Sequence, residues 1–195
     1  MQRDTRAVAW ESLSWTNPPT SSLAVDGRLD VVTADSKDFW RTTAYGFVHD
    51  DGHFLHVEMS GDFGIEVSLS GDFSGLYDHA GLMVRRDATT WLKAGVEFCD
   101  GALRASVVNT REVSDWSVGQ PLEGAGPIRV RLSRSDDAVN VRIGRVGMPL
   151  ELVRVAPFVR DATISVGPMC CSPKRSGLKV TFSDLVIAEP DPALA

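Results

Sequence analysis

The chain has 195 residues, 43% of them apolar and 24% charged, which suits one globular domain whose core needs neither disulfides nor a structural metal. A net charge of −6 and a pI near 5.2 argue against a surface built to neutralise phosphates or coat an anionic membrane, so nucleic acid and membrane are not expected partners. No apolar run approaches bilayer length, and the opening MQRDTRAVAWESL has no uninterrupted apolar segment of the signal-peptide kind, so the expected compartment is the cytoplasm.

Taken in chain order, the first stretch of interest is DFWRTTAYGFVHDDGHFLH (38–56), which sets Trp40, Arg41, Tyr45, His49 and His53 around a turn. An arginine beside an aromatic suits planar, stacked recognition, and Trp40 is a candidate contact on that ground. Histidines beside turn aspartates are ordinarily solvated, and no nucleophile stands at a recognisable spacing from His49 or His53, so neither is assigned catalysis. From here the apolar period is two: FLHVEM (54–59), IEVSLSG (65–71), AGLMVR (80–85), WLKAGVEF (91–98), LRASVVNT (103–110), IRVRLSR (128–134), AVNVRIG (138–144), ATISVG (162–167) and LKVTFSDLVIAE (178–189). Turn chemistry separates them, as at Asp50-Asp51-Gly52, Ser60-Gly61-Asp62 and Ser135-Asp136-Asp137. Asp100-Gly101 predicts a tight hairpin joining 91–98 to 103–110. No dozen residues keep a helical stripe, which disfavours parallel βαβ units and favours a single all-β domain of two stacked antiparallel sheets, a jelly-roll sandwich with its core over about 10–188. The tail EPDPALA (189–195), with two prolines, is expected to be loose.

Parity selects a candidate face. With Leu92, Ala94, Val96 and Phe98 turned to the core, Trp91, Lys93, Gly95 and Glu97 project from the other side at intervals of ~6.6–7 Å. Neighbouring strands add Arg85, His56 and Glu58 by the same rule, and Gly81 and Gly95 would leave a hollow for a ligand or a crossing side chain. A flat indole beside charged groups is what a polyhydroxylated ligand requires, with Trp91 as the stacking platform and Lys93, Glu97 and Arg85 as polar contacts. Tyr77 and Asp78 of YDHAG (77–81) and Trp116 of SDWS (114–117) fall at strand ends, at the rim of that face. Asp78 either orients His79 or caps its loop. Cys99, Cys170 and Cys171 fit no metal spacing and read as reduced thiols, Cys170 buried and Cys171 exposed.

The succession SWTNPP (14–19), DFWRTTAYGF (38–47), DDGHFL (50–55), YDHAGLMVR (77–85), WLKAGVEF, SDWS and VGPMCCSP (166–173) resembles the DUF1349 family, which includes proteins named after regulation of enolase, over about 14–187. The resemblance implies a concanavalin A-like lectin/glucanase sandwich with a concave face that holds sugar in relatives of the fold. Glucanases of this fold commonly carry E-x-D-x-E on one strand; here Glu97 follows Lys93 and Gly95 instead. The aspartate-rich calcium/manganese loop of legume lectins is absent too, so no metal or other cofactor is implied. The reading is non-catalytic binding of a small saccharide-like ligand. A glycoside hydrolase using Glu97 with a second carboxylate, and an interaction module or homodimer using that face, are its alternatives.

Overall fold

The computed structural model describes residues 5–160 and 162–192. Its strands are β1 (Thr5–Ala7), β2 (Ser14–Thr16), β3 (Ser21–Val25), β4 (Arg28–Val32), β5 (Phe39–Arg41), β6 (Val48–Asp50), β7 (His53–Met59), β8 (Phe63–Gly71) and β9 (His79–Asp87). They continue with β10 (Thr90–Cys99), β11 (Ala102–Arg111), β12 (Val113–Pro121), β13 (Ile128–Ser135), β14 (Ala138–Arg145), β15 (Glu151–Pro157), β16 (Ile164–Cys171) and β17 (Lys179–Ala188). A 3-10 turn at Trp10–Ser12 is the only helical element among the described residues, and no helix there is long and apolar enough to cross a membrane.

The front sheet runs β12-β11-β10-β9-β16-β7-β2 and the back sheet β15-β14-β13-β8-β17-β4-β3, with β1 also on β17. Every strand pair is antiparallel. Late strands therefore sit mid-sheet, β16 between β9 and β7 and β17 between β8 and β4. The facing parities, such as Leu92, Ala94 and Val96 of β10 against Val130 and Leu132 of β13, form one continuous core. Each fully buried Val or Leu contributes about 1.5–3 kcal/mol. The molecule is the antiparallel jelly-roll sandwich of concanavalin A-like type.

The predicted hairpin forms with Cys99 opposite Ala102. Asp100 (φ 50°) and Gly101 (φ 72°) both adopt the left-handed conformation that a two-residue primed turn demands. The tail departs from expectation. Asp191, 5% exposed, accepts from Arg131 Nε at 2.8 Å and Arg142 Nε at 2.9 Å, and its backbone N–H donates to Ser133 Oγ at 2.6 Å. An aspartate held between two arginines pins the segment to the back sheet at least this far; 193–195, like 1–4, lie outside the described residues.

Candidate functional site

On the outer side of the front sheet, β10 presents Trp91, Lys93, Gly95 and Glu97, beside Arg85, Met83, Gly81 and His79 of β9 respectively. This side is not a wet face. The β5–β6 hairpin folds over it, and Phe39 and Trp40 pack with Phe54, Met83, Trp91, Val108 and Met169 into a second apolar cluster. The reason lies in the hairpin's own sequence: two adjacent large aromatics must be removed from water, and the sheet offers the apolar seat.

This cover corrects the assignment of Trp91 as stacking platform. Trp91 is 0% exposed and lies under Phe39, ring centroids 6.0 Å apart, so no ligand reaches it. The predicted hollow at Gly81 and Gly95 is also spoken for. An added Cβ on either would stand 2.0 Å from a carbonyl oxygen of the neighbouring strand, so these glycines permit close strand approach. By register, the diagonal from Lys93 on β10 to Cys171 on β16 passes over Gly81, and Lys93 Nζ reaches within 3.8 Å of Cys171 Sγ. The open room belongs to a side chain.

Beside the hairpin the sheet floors a cleft of about 350 Å³. Lys93, Glu97 and Val108 come from the sheet, with Trp116 at its β12 edge. Asp38, Trp40, Tyr45, Phe47 and His49 come from the hairpin, together with Ser36 just before it. Leu76 and Tyr77 from one loop and Pro173 and Lys174 from another complete the wall. Tyr45 stacks on Phe47 (5.4 Å, 9°), and Tyr77 meets Trp116 edge-on (5.9 Å, 86°). The nearby Tyr45 hydroxyl holds the Tyr77 phenol above its ordinary pKa, with burial adding to it.

The floor is charged and dry. Lys93, 2% exposed, donates to Asp38 Oδ1 at 2.8 Å. Burial alone would depress its ammonium; Asp38, with Cys171 and Glu97 adding, outweighs that and raises its pKa. Glu97 is 5% exposed. Its Oε2 accepts from Ser106 Oγ and, at 2.9 Å, from Trp116 Nε1, while Oε1 receives neither donor. Burial raises the Glu97 carboxyl, and Lys93, Ser106 and Trp116 offset only part of that. His79, Glu97's register neighbour, has no hydrogen-bond partner on either ring nitrogen, and burial drives its pKa well below the ordinary value, so it is neutral.

Of the residues expected from sequence to contact a ligand, Lys93, Glu97, Trp40, Tyr77 and Trp116 line the cleft. The others do not. Arg85 pairs with both carboxylate oxygens of Asp50 and lies over Phe39 at 5.9 Å, fastening the hairpin down. His56 stacks on Phe54 and lies 3.0 Å from Thr16 Oγ1. Glu58 accepts from Ser165, on the same side of the sheet but outside the cleft. Asp78 is 0% exposed; it caps its loop by accepting from the Ser74 and Gly75 N–H groups and pairing with Arg175 at 2.6 Å. That cap supports Tyr77, which holds φ at 67°. Cys171, expected exposed, is 0% exposed because the Lys93–Asp38 pair covers it. Asp38 and Phe47 also line the cleft, and no periodicity marks them because their place depends on the hairpin folding back over distant strands. The available signal was the run Asp38-Phe39-Trp40, an acid beside two aromatics ahead of a turn.

Residues 15–190 match the model of a family described as "Protein of unknown function (DUF1349)". The chain is 40% identical over 177 residues to "Regulation of enolase protein 1" of Saccharomyces cerevisiae, spanning 91% of this chain and 89% of that protein. A crystal structure of a functionally unknown protein from Saccharomyces cerevisiae superposes with a TM-score of 0.90 at 38% identity, covering 95% of this chain and 100% of that one. The carbohydrate binding module CBM66 from Bacillus subtilis shares the sandwich at a TM-score of 0.54 and 12% identity, over 90% of this chain and 95% of that one. At that identity the likeness concerns the fold alone.

Proposed function

Because the chain belongs to the DUF1349 family, whose function is unknown, its role must be read from the cleft, and we propose that it binds a small polar, carbohydrate-like ligand there without transforming it. The observation that carries this reading is Glu97, a carboxylate nearly withdrawn from water whose Oε2 holds both protein donors. A ligand hydroxyl donating to this carboxylate would make a charge-assisted hydrogen bond, stronger than a neutral one. Tyr77 and Trp116 provide faces for the C–H side of a sugar ring, and the Lys93–Asp38 pair offers further donors and acceptors.

A thermal-shift screen with saccharides and small polar metabolites tests this. A true ligand raises the melting temperature of the wild type by mass action and leaves Glu97→Ala unmoved. Equal shifts in the two proteins would sink the reading.

One observation favours a second reading. Asp38 is a second acid in the same cleft, and two carboxylates in unlike environments suit general acid and base roles in glycoside hydrolysis. Release of reducing ends by the wild type and not by Asp38→Asn would establish that reading instead.

A further inference from the structure

We infer that the cleft takes the end of a saccharide, a free unit or the terminal unit of a chain, and rejects the interior of a polymer; this rests on the binding role proposed above. An uncovered concave sheet is a trough along which a chain can lie. Here the hairpin carrying β5 and β6 lies across that trough. Its Phe39 and Trp40 fill one half with the cluster around Trp91, Met83 and Phe54, and Arg85 clamps it through Asp50. What remains is closed by chain on several sides, with the hairpin tip facing the Tyr77 loop. Tyr45 of the hairpin and Tyr77 of the loop both line the cleft and lie close enough to interact, so an occupant running through between those two walls would have to part them. The charged groups, Lys93 and Glu97, lie at the bottom and are 2% and 5% exposed, whereas Tyr45 and Phe47 are 53% and 43% exposed. A ligand must therefore enter pointing inward to reach the polar groups. The volume of about 350 Å³ stands at the small end of the roughly 300–1,000 Å³ typical of small-molecule sites, room for about one or two rings.

The test uses intact protein and titration calorimetry with gluco-, xylo-, manno-, galacto- and arabino-configured sugars, each as free unit, linear oligomers of rising length and soluble polymer. Cyclic oligosaccharides are added for the glucans. For the series that binds, affinity per chain should stay level from disaccharide to polymer, since each chain has one such end. The cyclic form should bind at least about tenfold more weakly than the linear one, a difference of about 1.4 kcal/mol. Affinity per chain that climbs with length, or a cyclic form that binds as well as the linear, overturns the inference while leaving the binding role intact. Absence of binding in every series overturns both. The Tyr45→Ala/Phe47→Ala double variant removes half-exposed wall, and it should narrow the cyclic-to-linear gap; an unchanged gap also counts against the hairpin as the barrier.

Discussion

Glu97 concentrates the tension in this site. Burial raises its carboxyl above the ordinary glutamate value of 4.5, so between that pH and the folded value the folded protein holds a proton that the unfolded chain has released. The associated stability is present below about pH 4.5 and drains away as pH rises through the folded value. Glu97→Gln keeps the shape and can still accept from Trp116 and Ser106, but it cannot ionise. Its melting temperature should match the wild type near pH 4 and exceed it by a margin that grows as pH rises through the folded value and then levels off, read by calorimetric scans across pH. A margin that is flat in pH would show that the carboxyl is not under strain. Lys93 does not share this sensitivity, because Asp38 holds it charged.

At the scale of elements, β10 is where sequence legibility is best measured. Strict alternation is a local property of a strand, so the inward set Leu92, Ala94 and Val96, the outward set, and the Asp100-Gly101 turn could all be read without a structure. What could not be read is what lies on top. Trp91 and Glu97 occupy the same parity, yet one lies beneath the hairpin and the other opens into the cleft, a distinction made by residues some fifty positions upstream in the hairpin. Sites built from loops over sheets hide from periodicity for that reason. The glycines show a similar limit, since Gly81 and Gly95 read as vacancy but act as points of contact. Gly81→Ala places a methyl 2.0 Å from the Ala94 oxygen. It should cost about 1–3 kcal/mol as overpacking, measured by denaturant unfolding; a neutral substitution would mean that the β9–β10 pair can spread at no cost.

For the whole molecule, the back of the sandwich is fastened by the segment following β17. Arg131 is 3% exposed and its charge is met by Asp191 at 2.8 Å, with the Glu189 carbonyl also accepting from it. Asp191→Ala leaves that guanidinium with the Glu189 carbonyl and the more distant Glu66, 3.9 Å away, and should destabilise the protein by about 1–3 kcal/mol, with the loss seen in unfolding and not in ligand affinity at the opposite sheet. The placement of β16 and β17 in the middle of the two sheets carries a different consequence, for biosynthesis. Until these strands emerge from the ribosome, β9 and β7 have no partner between them in the front sheet, nor do β8 and β4 in the back. The nascent chain must hold four unpaired inner edges, each a template for foreign pairing. Contacts this distant in sequence form slowly, so the folding yield should be set by how long those edges wait for β16 and β17.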